Sequence, residues 1–277
     1  MDQLLVYLTD LPAGWPLALT MAFLAATIQR ATGFGFGMIF MSGFLPILPP
    51  IEAVTIASIA NALLTVVASA QLRRDIDWGF VRALMPSLAV GTLLGLLTYA
   101  IVVDWVVEAL ALGVICWTIW QVANNLPGVT ARWSREPLAQ DDDPRKQQVS
   151  AKSIAWPGLF GGYLGFMLSM PGPTIVGYMH KIAMDAINVR ATLMLIFLVV
   201  SLFRLVLGPV FVGLEGFPWA LAFWGTASVV VGSGVGTLLG RWLHPSSFAW
   251  VQLFFITLSG ILIASGLWAA AQVWLGQ

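Results

Sequence analysis

The sequence predicts an all-α polytopic membrane protein made of two inverted-topology repeats, each a broken re-entrant helical hairpin followed by three transmembrane helices. Three observations predict it. The chain of 277 residues is 59% apolar and only 9% charged, with a mean hydropathy of +0.88, which a soluble surface does not tolerate. Apolar runs recur at membrane-spanning length. Two of them carry helix breakers at their centres, in matching places: Thr32-GFGFG-Met38 near the start and Ser169-MPGP-Thr174 past the middle.

In chain order, the apolar region 15–48 is too long for one straight crossing of a hydrocarbon core ~30 Å thick. Ordinary spans follow at 51–70, 80–100 and 102–122. Segment 125–153 is the long polar stretch and reads as a connector. The region 154–183 is again long and broken, and spans at 189–207, 217–239 and 248–271 complete the chain. The predicted organisation is an N-terminal repeat over 1–124, a linker over 125–153 and a C-terminal repeat over 154–277.

Each broken region could be one long helix, two full spans or a hairpin of two half helices, and charge placement arbitrates. Cytoplasmic flanks collect Lys and Arg. With two hairpins, Arg73, Arg74, Arg82, Arg132, Arg135, Arg145, Lys146, Lys152, Lys181, Arg190 and Arg241 share one face, and segments 1–14, 101–104 and 209–217 on the other carry no cation. A single crossing of each region would move Lys181, Arg190 and Arg241 to the opposite face. The hairpin reading puts the linker in the cytoplasm and both termini on the periplasmic side of a bacterial inner membrane. Acids without a basic segment at the N-terminus argue against a cleaved signal peptide. Trp15, Trp78, Trp105, Trp156, Trp219 and Trp268 fall near span ends, as an interfacial belt requires.

Several classes are excluded. Thirteen cations balance thirteen anions, so no global field points to nucleic acid. Cys116 is the lone cysteine, which rules out an intramolecular disulfide and a cysteine-rich metal site. There is no HExxH and no GxSxG, and His180 and His244 lie at span ends, so neither a metal, a cofactor nor an enzymatic centre is expected. The expected partners are the lipid bilayer and a small anionic substrate; the sequence leaves a homodimer open.

The halves align with each other. Gly35 over Gly172 puts Thr55 over Thr192; a slightly larger offset later puts Trp78 over Trp219, Ser87 over Ser228, Gly91 over Gly232 and Gly95 over Gly236. Three crossings per half invert the second copy. The small-residue runs at 88–95 and 229–236 fit close helix packing in lipid.

A broken helix in hydrocarbon leaves backbone groups unpaired, so it persists only where protein or a watery cavity satisfies them. Gly33, Gly35 and Gly37 allow positive φ and close approach of a ligand. Pro171 and Pro173 end one helix and suit the first turn of the next, with Gly172 between them and Thr174 just inside. The half helices after each break would aim N–H groups and a positive dipole end at the membrane centre, which favours an anion. Arg30, inside an apolar region, is expected to face a cavity and to hold that anion through its guanidinium fork; the other reading pairs it with Glu52, Asp104 or backbone carbonyls. The alignment of the halves places Met167 opposite Arg30, so an asymmetric site with one arginine is expected. Gln29, Thr32 and Ser169 offer neutral hydrogen bonds; Asn61 either lines the path or bonds a neighbouring helix. Arg204, near a span end, is expected to snorkel outward or touch the anion on exit. Glu52 and Asp185 read as helix-start acids, with proton coupling as the other reading.

The glycine-phenylalanine run of the first break, the four-segment halves, the Pro-Gly-Pro of the second break and the basic central linker together resemble the TauE/SafE family of sulfite and organosulfonate exporters. The resemblance spans nearly the whole chain. It implies a secondary transporter, chiefly an exporter, of small sulfur-containing or carboxylated anions, working by alternating access around a midplane site; an anion channel is the alternative.

Overall fold

A computed structural model describes residues 11–99, 101–124, 151–182, 184–208, 216–242 and 245–274. Among them there are ten helices and no strand: α1 (Trp15–Thr32), α2 (Phe36–Phe44), α3 (Pro50–Gln71), α4 (Trp78–Tyr99), α5 (Asp104–Asn124), α6 (Ala151–Leu168), α7 (Gly172–Lys181), α8 (Ala186–Leu207), α9 (Trp219–Trp242) and α10 (Pro245–Trp274). Six of these, α3, α4, α5, α8, α9 and α10, are long and apolar enough to cross a membrane, and they fall on the six apolar runs of the sequence. The protein is a multi-pass membrane protein. Most of the polar linker, 125–150, lies outside the described residues.

Both broken regions double back. Gly43, near the end of α2, sits against Ala18 and Met21 near the start of α1; a Cβ on it would lie 2.7 Å from the Met21 Cβ. Gly14 and Ile47, at the two open ends, are neighbours as well. In the second region the Thr174 hydroxyl donates to the Pro157 carbonyl at 3.3 Å, and Ser153 Oγ lies 2.6 Å from the Tyr178 hydroxyl. α2 therefore runs back along α1, and α7 along α6.

All nine residues of α2 are buried. A helix apolar on every side belongs in an interior, and Phe36, Phe40 and Phe44 stack along it with ring centroids 5.0 and 4.1 Å apart. α3 and α8 pack on each other beside it. In the most apolar stretch of each, 56% of residues are buried, against 28% in α5 and α10, which places α3 and α8 inside and α5 and α10 at the periphery. Trp105, Trp120, Phe254, Ile261 and Trp268 face outward, as a lipid-facing shell requires. Trp15, Trp78 and Trp219 each open a helix and are exposed.

The glycine runs do what small residues do in lipid. α4 packs on α6 through Gly91 and Gly95 on one side and Gly158 and Gly162 on the other; a Cβ on Gly91 would strike the Leu159 carbonyl, and one on Gly162 the Leu88 carbonyl. α9 packs on α1 in the same way, with Gly232 on the Phe23 carbonyl and Gly236 on the Thr27 carbonyl. Thr27 Oγ1 donates to the Gly232 carbonyl at 3.0 Å. Each hairpin is thus clasped by a long helix from the other half of the chain.

Arg204 does not snorkel. It is 2% exposed, its Nη1 donates to the Phe166 carbonyl, and its guanidinium carbon lies 4.7 Å from the ring centroids of both Tyr99 and Phe166. The face of α8 that carries it is packed against protein, so the side chain turns inward to a carbonyl at the end of α6. Glu52 lies in the first turn of α3 and Asp185 at the N-terminal cap position of α8, where a helix dipole favours acids.

Candidate functional site

The two breaks share a backbone design. α1 ends at Thr32, and Gly33, with φ 99°, donates its N–H to the Gln29 carbonyl at 2.8 Å. α6 ends at Leu168, and Ser169, with φ 58°, donates its N–H to the Gly165 carbonyl at 3.0 Å. Both are left-handed caps that close a helix end. The next helices open at Phe36 and Gly172. This pairs Gly33 with Ser169 and Phe36 with Gly172, one residue away from the alignment of Gly35 on Gly172, and sets Phe166 rather than Met167 opposite Arg30. Glycine positions misled the alignment because a serine fills the left-handed position in the second break.

The breaks meet. A Cβ on Gly37 would run into the Ser169 carbonyl and come within 2.8 Å of the Met170 side chain. From the other direction Gly172 faces Phe34 and Phe197, with a hypothetical Cβ 3.5 Å from the Phe34 Cβ. Around this crossing lies a narrow cleft, walled by residues 35–38 and 169–173 together with Gln29, Asn61 and Phe197. The first amides of α2, on Phe36, Gly37 and Met38, and that of Gly172 in α7 are of the kind a helix leaves unpaired. No charged side chain lines the cleft among the described residues.

A chain of side-chain amides ties the cleft to three helices. Gln29 Nε2 donates to Asn61 Oδ1 at 3.2 Å, and Asn61 Nδ2 donates to Ser201 Oγ at 3.1 Å. The Gln29 Oε1 atom is buried and has no partner. Ser201 can donate as readily as accept. Both amides can therefore turn over together, at the cost of the weak Gln29 Nε2 contact to Met194 Sδ: Ser201 then donates to Asn61, Asn61 donates to Gln29 Oε1, and the Gln29 NH₂ group is left free.

Of the residues singled out in the sequence, Gln29, Gly35, Gly37, Asn61, Ser169, Pro171, Gly172 and Pro173 are brought together on the cleft wall. Four are elsewhere. Thr32 donates to the Ile28 and Phe34 carbonyls at 2.9 and 3.0 Å, and Thr174 is bonded back to α6. Gly33 packs on Arg190. Arg30 turns away from the cleft: its Nε donates to Thr237 Oγ1 at 2.9 Å and its Nη2 to Gln71 Oε1. The sequence reading missed Phe36, Met38, Met170 and Phe197, which give the cleft apolar walls, and Ser201, which anchors the amide chain. Gln252, in the apolar run of α10, was also overlooked; it is 3% exposed with its Nε2 unpartnered beside Gly35.

A family model described as "Sulfite exporter TauE/SafE" matches residues 18–265, from α1 into α10 and across both breaks. The chain belongs to the TauE/SafE family. TauE/SafE proteins are membrane transporters and not enzymes, in keeping with the helical, multi-pass architecture. The chain is similar to a TauE/SafE relative from Cupriavidus necator, a "Probable sulfite/organosulfonate exporter TauE", being 29% identical over 226 residues that cover 78% of this chain and 79% of that protein. No solved structure matches the chain.

Proposed function

We propose that this protein exports small sulfur-containing or carboxylate anions, sulfite and sulfonates foremost, across the bacterial inner membrane, by alternating access around the cleft where the two helix breaks meet. The observation that carries the reading is the crossing itself. Two short helices, α2 and α7, begin at one point with positive dipole ends and amides of the kind a helix leaves unpaired, beside side-chain amides, and with no charged side chain on the wall among the described residues. The name of the Cupriavidus necator relative supports the sulfur oxyanion.

The repeats 1–124 and 154–277 are read as inverted copies, joined by the linker 125–153. Support comes from the matched breaks and from the reciprocal packing of α4 on α6 and α9 on α1. In this reading each hairpin re-enters from its own side, and rocking of one repeat against the other alternately opens the cleft to the two faces. Both termini are then periplasmic. The contact of Gly37 with Ser169 closes the crossing and speaks for a gated carrier rather than an open channel.

The test is sulfite flux from proteoliposomes containing the full chain. Flux is expected to saturate, and Gln29→Glu, which sets a carboxylate in the cleft, is expected to lower it about a hundredfold or more by like-charge repulsion, in protein that a melting transition shows to be folded. Undiminished flux in Gln29→Glu removes the cleft as the substrate site. Non-saturating flux makes the protein a channel.

A further inference from the structure

Two consecutive residues of α1 serve different places. Gln29 lines the cleft, while Arg30, about 100° further round the helix, points to the end of the fold where α3 finishes and α8 starts. Besides its bonds to Thr237 and Gln71, Arg30 has a buried Nη1 with no acceptor, and the residue is only 6% exposed. Arg190 reaches the same spot from α8. Its Nη2 donates to the backbone carbonyl of Arg30, its stem lies on Gly33, and its buried Nε has no acceptor. Among the described residues, no carboxylate pairs with either guanidinium.

Two neighbouring guanidiniums, each with a spare N–H and neither with a counterion, are an unfavourable arrangement unless something anionic joins them. Arg204, which caps α6, also keeps a buried Nε without an acceptor, so what sets this place apart is the second guanidinium beside the first. The spare donors suit an oxyanion, whose several oxygens accept from planar forks.

We propose that Arg30 and Arg190 form a second oxyanion-binding site, distinct from the cleft and adjoining it through Gln29, where a small oxyanion such as sulfite is held next to the crossing. Its place in a transport cycle rests on the carrier reading above; its binding does not.

Calorimetric titration of sulfite into the full chain in nanodiscs of zwitterionic lipid tests this. Two classes of site are expected in the wild type, and Gln29→Glu should lose the cleft class and keep the other. Arg30→Gln and Arg190→Gln should each weaken that other class at least about tenfold, whereas Arg30→Lys and Arg190→Lys, which keep the charge but lose the planar fork, should weaken it distinctly less. Thermal melting identifies a variant that fails to fold, and the lysine variants then carry the test: weakening in them equal to that in the glutamine variants overturns the proposal, because capping alone would not follow charge. A single class of site abolished by Gln29→Glu also overturns it. So does loss of the second class when phosphatidylglycerol replaces the zwitterionic lipid, which would assign the arginines to a lipid phosphate. Binding at the arginines without flux retains this site and defeats the carrier reading; saturable flux with no arginine-dependent binding does the reverse.

Discussion

The two hairpins solve one backbone problem with different chemistry. In each, the long helix stops short, a left-handed residue turns the chain, and a carbonyl one turn from the end loses its helical partner. The first hairpin turns on Gly33 and Gly35, with φ of 99° and 105°, while the second turns on Ser169 and the prolines 171 and 173. The orphan carbonyls sit at Arg30 and Phe166, in equivalent positions, and α8 supplies an arginine to each: Arg190 to the first and Arg204 to the second. Both arginines keep a buried Nε without an acceptor, but Arg204 is sealed between two aromatic rings whereas Arg190 stands beside a second arginine. The two ends are therefore unequal.

Breaking the sealed end should have the largest effect on stability. Arg204→Ala removes a fully buried side chain, two ring contacts and a charged hydrogen bond, and is expected to destabilise by about 3–5 kcal/mol. Arg190→Ala, losing mainly a carbonyl cap, should cost about 1–2 kcal/mol. Melting curves in detergent rank the two, and equal losses would mean that the ends are alike. Next come the clasps. Gly91→Ala and Gly232→Ala each force a methyl into a backbone carbonyl and should destabilise by similar amounts, about 1–3 kcal/mol each; a loss confined to one would break the equivalence of the halves. The smallest effects should differ in sign. Gly33→Ala imposes a Cβ at positive φ and should cost about 1 kcal/mol, while Ser169→Gly relieves a side chain from the same region and should be neutral or stabilising by a few tenths of a kcal/mol. If Ser169→Gly is instead clearly destabilising, the serine side chain has a role beyond the turn.

The six spans and the two breaks were legible because length, hydropathy and helix breakers are local properties. The glycine runs were legible too, since small residues at helical spacing have few uses in lipid other than close packing. The register of the breaks was not, because serine does not advertise a left-handed backbone as glycine does. Arg204 was misread for a different reason: its distance from a span end says nothing about which face of the helix meets lipid. Arg30 was expected to face the cavity and hold the anion, yet one helical step separates it from the cleft that Gln29 reaches. Ser201 and Arg190 became visible only when α1, α3 and α8 came together, a contact between distant segments that periodicity does not encode.

Arg190 and Arg204 are fourteen residues apart, which along a helix is about 21 Å and just under four turns. Each is fastened to the tip of a different hairpin, so this stretch of α8 works as a ruler between them. Substitutions along it leave the gauge intact. A single inserted residue would swing one arginine about 100° away from its carbonyl while leaving the other in place, so this part of the chain should accept changes in identity far more readily than changes in length.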